Sequence, residues 1–212
     1  MFSASPNKLY QEGKSMRLLH VGCGPKTKAA TTKAFNTDEW EEVRFDIDEA
    51  VNPDVIGTMT DMSAIESSSI DAIYSSHNIE HLYPHEVSIA LIEFFRVLKD
   101  DGFVMLTCPD LQSVCALVAD DKLTEAAYVS AAGPIAPIDM LYGFRPSMAA
   151  GNLYMSHRSG FTRKTLISTF ENHGFKSVAG ARREKHYDLF CLASKKELPK
   201  DDLLALASMH FP

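Results

Sequence analysis

Met16-Arg-Leu-Leu-His-Val-Gly-Cys-Gly-Pro25 is the stretch from which the architecture of this 212-residue chain can be read. Its first six residues, Met16 to Val21, are mostly apolar and stop at a glycine, the pattern of a short strand buried in a parallel sheet. Gly22 and Gly24 follow at once, and glycine permits both a tight turn and close approach of a ligand to the backbone. Downstream, Lys26 to Asn36 is rich in alanine and lysine and predicts a short helix. Glu42 to Ile47 alternates Val43, Phe45 and Ile47 as a second strand does. Asp54 to Met59 and Ile70 to Ser75 give a third and a fourth strand. Pro84 opens the clearest helix, with Glu86 at its positive end and Val87, Leu91, Phe94 and Leu98 along one face. Asp100-Asp101-Gly102 then turns the chain into a fifth strand, Phe103 to Thr107.

Strands alternating with helices make a parallel α/β sheet. The last third breaks that rhythm. Thr162 caps a helix whose apolar face is Leu166, Ile167 and Phe170, and Gly174 ends it. Phe175 to Ala181 and Tyr187 to Ser194 then lie too close in sequence for a crossover helix, which demands an antiparallel hairpin. Residues 1–15 read as a polar lead-in. Asp201 to Phe211 reads as a short amphipathic helix in a 196–212 tail, docking on the body or on a second subunit. Residues 110–160 begin as a helix over Leu111 to Asp121 and turn irregular, rich in Gly, Pro, Tyr and Met. A segment this long inside one domain is usually functional, so it is expected to be an inserted substrate-binding or lid region of a single 1–212 domain.

Composition narrows the classes. Hydrophobic residues make up 45% and charged residues 23%, ordinary for a globular domain. No apolar run approaches the ~20 residues of a membrane span, and the first residues lack the apolar core of a signal peptide; a cytoplasmic protein without membrane contact is expected. The formal net charge of −7 disfavours a nucleic-acid binder. Arg182-Arg183-Glu-Lys185 reads as a solvated strand end. Cys23, Cys108, Cys115 and Cys191 form no Cys-x-x-Cys pair and read as reduced thiols.

In an open α/β sheet a ligand lies beyond the carboxyl ends of the strands, where strand order reverses. A dinucleotide would ask for a third glycine where Thr27 stands, and a phosphate loop for Gly-Lys-Ser/Thr; both are absent. A phosphate-free nucleotide needs close backbone approach and a carboxylate for its ribose. Asp46 and Asp48, at the end of the second strand, are both placed to supply it, Asp46 being preferred.

These residues carry a resemblance. Leu18-Leu-His-Val-Gly-Cys-Gly-Pro25 resembles the first motif of the class I, Rossmann-like S-adenosylmethionine-dependent methyltransferases, and Phe45-Asp-Ile-Asp48 resembles their acidic second motif. Asp61-Met62 resembles the segment that contacts adenine, Asp61 taking the exocyclic amine and Met62 covering the ring. Ile70-Asp-Ala-Ile-Tyr-Ser-Ser-His-Asn-Ile-Glu-His-Leu82 and Phe95-Arg-Val-Leu-Lys-Asp-Asp-Gly102 resemble the fourth-strand region of the small-molecule branch. The likeness covers roughly residues 16 to 108. It implies a three-layer Rossmann-like sandwich on a mostly parallel seven-stranded sheet ending in an antiparallel hairpin. It also implies S-adenosylmethionine, with S-adenosylhomocysteine as product, held by His20, Gly22, Cys23, Gly24, Asp46, Ile47, Asp48, Thr60, Asp61, Met62, Ser76 and His77.

His77-Asn-Ile-Glu80-His81 also spells His-x-x-Glu-His, a zinc-peptidase pattern. Pro84 opens a new helix only three residues later, so barely one turn is left to hold His77 and His81 on one face. The methyltransferase reading is preferred, no metal is expected, and Glu80 and His81 are expected to satisfy each other and the loop backbone. Methyl transfer aligns a nucleophile with a sulfonium carbon and sometimes removes a proton. A histidine suits that task, and the candidates are His77 and His157. Asp110, Tyr142, Arg145, Tyr154, His157 and Arg158 are the expected substrate residues, suited to a small polar or anionic organic molecule. The alternative for the Tyr and Met residues is a lid or a homodimer contact. The competing functions are a non-catalytic binding protein of the same fold, an NAD-dependent enzyme, and a zinc hydrolase built on His77, Glu80 and His81.

Overall fold

The computed structural model describes residues 15–212, so of the expected lead-in only Ser15 falls among the described residues. Five parallel strands come first: β1 (Met16–Val21), β2 (Trp40–Asp46), β3 (Val55–Ile56), β4 (Ile70–Ser76) and, after helix α1 (Pro84–Val97), β5 (Leu98–Pro109). Helix α2 (Leu111–Ala119), the small hairpin β6 (Tyr128–Ser130) and β7 (Gly133–Ile135), and short helices α3 (Pro137–Tyr142) and α4 (Arg145–Ala149) make up the insertion. Helix α5 (Arg163–Asn172), the hairpin β8 (Ser177–Arg183) and β9 (Asp188–Ser194), and α6 (Lys200–His210) complete the chain. The main sheet runs β3-β2-β1-β4-β5-β9-β8, with β9 antiparallel to both β5 and β8. Strand order reverses between β1 and β4, which puts the ligand crevice at their carboxyl ends. Among the described residues no helix is long and apolar enough to cross a membrane.

Alternation along β1 sends Leu19 and Val21 to one face of the sheet and Leu18 to the other. The first face packs on Val87, Leu91 and Phe94 of α1 and on Leu166 and Phe170 of α5. Pro84 sits at the first helical position, and Glu86 accepts the Tyr83 N–H at 2.8 Å, fixing where α1 begins. Leu91 is fully buried; truncating such a leucine to alanine costs about 2–5 kcal/mol.

The second face differs from expectation in an instructive way. Residues Lys26 to Asn36 make only one 3₁₀ turn, Lys28–Ala30. The Thr31 hydroxyl bonds back to the Lys28 carbonyl, and the Lys28 ammonium is held by the carbonyls of Thr37 and Trp40. Side chains that bond locally to backbone compete with helix propagation. With no full helix there, α6 covers the face: Leu203, Leu206 and Phe211 pack against Leu18, Phe35, Trp40 and Tyr74. His210 Nδ1 lies 2.8 Å from Thr32 Oγ1, and its ring centroid 4.4 Å from that of Phe35. The tail thus docks on the body. The fifth strand also starts earlier than the sequence suggests, because a register shift lets Leu98 pair with Ile70 before Phe103 pairs with Ala72.

Candidate active site

Gly22 and Gly24 both adopt left-handed backbone, with φ of +63° and +54°. The reasons differ. A Cβ on Gly22 would lie 2.1 Å from Asn78 Oδ1. The Asn78 amide fills that space and donates to the carbonyls of Val21 and Ser76, each at 3.0 Å, and to Ser75 Oγ at 3.2 Å. Nothing stands within 4 Å of a Cβ on Gly24, so that glycine leaves the backbone open to a ligand. Its N–H donates to Asp46 Oδ2 at 2.7 Å, and Asp48 N–H donates to Asp46 Oδ1 at 2.9 Å. Asp46 is therefore first a strut of the turn, with lone pairs left over for a ribose. Asp48 is half-buried and accepts from Ala50 N–H at 2.9 Å. Between them Ile47 is 43% exposed, an apolar surface at the tip of β2.

Three of the residues expected at the cofactor, His20, Cys23 and Met62, have buried side chains. His20 points to the far face of the sheet, its Nδ1 2.7 Å from Glu42 Oε1 and its ring edge-on to Tyr74. Burial lowers its pKa, and Glu42 only partly opposes this. Cys23 is buried, which pushes its thiol up to about 11. Met62 has no exposed surface and packs in the main core, its N–H bonded to Glu93 Oε2 at 2.9 Å; the fold does not offer its side chain as a cover for adenine. Thr60 and Asp61 open onto a hollow beside α1 lined also by Ile89, Ile92 and Arg96. Hydrogen bonds from Ser63 hold the Asp61 carboxyl below its ordinary value.

The crevice deepens past Asn78. Ser76 ends β4, its hydroxyl 2.8 Å from that of Thr107. His77 follows in left-handed backbone, φ +56°, its N–H bonded to the Thr107 carbonyl. Such a conformation in a non-glycine residue is strained and held by its surroundings. His77 Nδ1 is 3.3 Å from Glu80 Oε1 and Nε2 is 3.8 Å from Asp188 Oδ2. Desolvation opposes the imidazolium, but these two carboxylates outweigh it and lift His77 to about 9. Glu80 is only 1% exposed, and among the described residues neither carboxylate oxygen has a hydrogen-bond partner. Burial alone would raise its pKa; His77, with His81 and His157 beyond, holds it below the ordinary value.

The insertion closes this crevice. Arg158 and Ser159 N–H groups donate to the Glu80 carbonyl at 2.8 and 3.1 Å, and His157 N–H to the Tyr142 carbonyl at 3.1 Å. His157 Nδ1 bonds the Met140 carbonyl at 2.8 Å, and His81 Nδ1 the Ser156 carbonyl at 3.1 Å. Burial lowers the His157 pKa. Together they bound a cavity of about 170 Å³, lined by His77, Glu80, His81 and His157 and walled by Tyr128, Met140 and Phe144, among others.

Of the expected substrate residues, His157 lines the cavity. Asp110 is a structural group instead. It caps α2 through Gln112 N–H, accepts from Ser113 Oγ, and pairs with Arg182 Nε at 2.5 Å, so its buried oxygens are engaged. Arg145 grips Asp139 at 2.6 Å, Tyr142 and Tyr154 are more than half exposed, and Arg158 lies over the Tyr83 ring at 4.7 Å. The sequence reading missed Tyr128, Asp139, Met140, Phe144, His186 and Tyr187. His186 and Tyr187 were within reach of it: they form the bend of the terminal hairpin, and β9 pairs Asp188 with Pro109 at the carboxyl end of β5. The expected mutual satisfaction of Glu80 and His81 is not what forms, since the His81 Nδ1 partner is a carbonyl. The zinc-peptidase geometry is also absent: His77 is left-handed, Ile79–His81 is a single 3₁₀ turn, and no α-helix carries both histidines.

Residues 19–106 match the model of a methyltransferase domain family. No curated protein matches the chain. Among solved structures, an S-adenosylmethionine-dependent methyltransferase from Archaeoglobus fulgidus shares 15% identity over 85% of this chain and 86% of its own, with a TM-score of 0.55. One from Methanosarcina mazei shares 15% over 88% and 94%, with a TM-score of 0.57. The 1,6-didemethyltoxoflavin-N1-methyltransferase of Burkholderia thailandensis, solved with bound 1,6-didemethyltoxoflavin and S-adenosylhomocysteine, shares 14% over 87% and 73%, with a TM-score of 0.54. At these identities the structures speak to the fold, while the domain match covers the strands that build the glycine turn and the β4 end. That match, on this sheet order and around an open glycine turn beside a β2-tip carboxylate, gives the chain a Rossmann-like α/β fold whose residues 19–106 are similar to a methyltransferase domain.

Proposed function

We propose that the protein methylates a small organic molecule that enters the cavity between the β4 end and the 110–160 insertion. The observation that carries this reading is Asn78. Its side chain fills the inside of the glycine turn at Gly22, and its backbone follows His77 at the cavity wall, so turn and cavity are joined by one residue. The residues present fit the cofactor. Gly24 offers open backbone, Asp46 and Asp48 offer acceptors for ribose hydroxyls, and exposed Ile47 offers an apolar surface for a base. Bound there, S-adenosylmethionine supplies an electrophilic methyl group on a sulfonium.

The chain's own part is to shape the acceptor site. Tyr128, Met140 and Phe144 suit an apolar or aromatic body, and the histidines suit a polar reacting group. Among the described residues no arginine lines the cavity, Arg145 being bound to Asp139 and Arg158 lying on Tyr83; a polar acceptor is favoured over a strongly anionic one. His157, its Nδ1–H given to a carbonyl, presents Nε2 as a proton acceptor. A site enclosed in this way raises the effective concentration of the aligned pair.

Calorimetric titration tests the reading. Saturable binding of S-adenosylhomocysteine is expected, and saturable binding of NAD alone would overturn it. With an acceptor in hand from a methyl-transfer screen, His157→Ala should lower kcat with cofactor affinity nearly intact. Cofactor binding with no transfer to any acceptor would mark a binding protein instead.

A further inference from the structure

We propose that Glu80, His81 and His157 bind a divalent first-row transition cation at the floor of the cavity. One ligand-capable atom from each residue lies within 4.8 Å of the others. Nitrogen ligands sit about 2.0–2.1 Å and carboxylate oxygens about 2.0–2.2 Å from such an ion, so the three need close by only roughly an ångström.

Two further observations point the same way. Glu80 is 1% exposed with no hydrogen-bond partner on either oxygen. A buried carboxylate is costly unless it is paired and hydrogen-bonded; His77, 3.3 Å from Oε1, gives an ion pair without a hydrogen bond, and Oε2 has neither among the described residues. The histidines, for their part, are already oriented. A carbonyl only accepts, so the bonds to Ser156 and Met140 place the ring proton of His81 and of His157 on Nδ1 and leave the Nε2 lone pair free. Nδ1–H donated to a backbone carbonyl is the usual way a protein aims a metal-binding imidazole. The two rings stand edge to face with centroids 4.9 Å apart. The backbone bonds from Arg158 and Ser159 to the Glu80 carbonyl lock the two ligand-bearing segments together.

Two imidazoles and one carboxylate favour zinc, iron, manganese or cobalt over calcium. Three protein ligands leave coordination positions open toward the cavity. With the ion bound, His157 Nε2 is a ligand and no longer a proton acceptor, and an oxygen of the methyl acceptor can bind at an open position; that last step alone rests on the methyltransferase reading.

The test uses the full chain, stripped with chelator and titrated with cobalt(II) chloride by visible absorption and with zinc chloride by calorimetry. One ion per chain is expected. His81→Ala, His157→Ala and the near-isosteric Glu80→Gln should each weaken binding at least about tenfold. His173→Gln, at a histidine that follows α5 and bonds the Thr169 carbonyl, should not weaken it. Thermal melts confirm that each variant is folded, and Glu80→Gln carries the test if a histidine variant is not. No saturation by about 1 mM, or equal affinity in the wild type and all site variants, overturns the cation. S-adenosylhomocysteine titrated in parallel separates the two readings: cofactor bound without metal overturns the cation alone, and metal bound without cofactor overturns the methyltransferase reading alone.

Discussion

The glycine turn, filled by Asn78, and the histidine cavity, walled by its neighbour His77, treat polar groups in opposite ways. On the turn side the buried groups are occupied by the chain itself. Asp46 accepts two backbone N–H groups, and Asn78 donates to three oxygens. On the cavity side Glu80 is buried with both oxygens unbonded, and His81 and His157 each keep a nitrogen free. The turn is thus satisfied by the chain itself, whereas the cavity keeps polar atoms that the described residues do not hydrogen-bond.

The largest expected effect sharpens the turn side. Gly22→Ala combines left-handed backbone with a Cβ 2.1 Å from Asn78 Oδ1. Strain and overpacking together should cost about 3–5 kcal/mol in urea unfolding. Gly24→Ala shares the backbone conformation but meets nothing, so it should cost about 1–2 kcal/mol and act mainly by weakening S-adenosylhomocysteine binding. Equal destabilisation by both substitutions would break the assignment of Gly22 to the fold and Gly24 to the ligand.

Carboxylates give the next contrast. Asp110 and Glu80 are equally buried, but Asp110 holds a helix cap and the Arg182 pair. Asp110→Ala should lower stability by about 3 kcal/mol. Glu80→Gln, measured on metal-free protein, should cost less, about 1–2 kcal/mol, because the near-isosteric amide keeps the packing and His77 retains Asp188 as a partner. A large loss at Glu80 in the metal-free protein would show that it is structural after all.

Buried histidines divide similarly. His210 bonds Thr32 and lies against Phe35 and Phe103 on the far face, and burial lowers its pKa from 6.5 to about 4. The unfolded chain therefore binds the proton that the folded chain refuses. Stability is flat above pH 6.5 and falls as pH drops from there toward 4, by roughly 2–3 kcal/mol from this group. Chemical denaturation across that window should show a shallower decline for His210→Phe than for the wild type; parallel declines would mean that His210 is not held neutral.

What the sequence made legible follows the same division. The apolar run at Met16–Val21, the four-three-four spacing on α1 and the short gap between β8 and β9 are local signals that specify one geometry, and each produced its element. The helix expected over residues 26–36 did not form because its competitor, α6, comes from the other end of the chain and supplies the apolar cover. No local pattern announces that. The cavity was half legible for the same reason. His77, Glu80 and His81 stand in one motif, but His157 reaches them through the Glu80 carbonyl, and Asp110, Arg145 and Arg158 find partners no spacing rule connects to them. A charged residue in a functional-looking segment is a site residue only if the fold leaves it without a partner, and that is a tertiary fact.

Arg158 tests that rule at its smallest scale. It sits next to His157, faces solvent, and stacks on Tyr83, which precedes α1. An exposed cation–π contact of this kind contributes about 0.5–1 kcal/mol. Its backbone N–H, not its guanidinium, makes the 2.8 Å bond to Glu80 that holds the cavity closed. Arg158→Ala removes the first, together with a long 3.4 Å bond from the guanidinium to the His81 carbonyl, and keeps the second, so it should lower the melting temperature slightly and change cobalt and S-adenosylhomocysteine affinities far less than loss of the backbone bond. Arg158→Pro removes the N–H while leaving His157 in the sequence, and it should loosen cobalt binding strongly. If instead the alanine variant loses ligand affinity as the proline variant does, the guanidinium serves the cavity directly and the division between its side chain and its backbone fails.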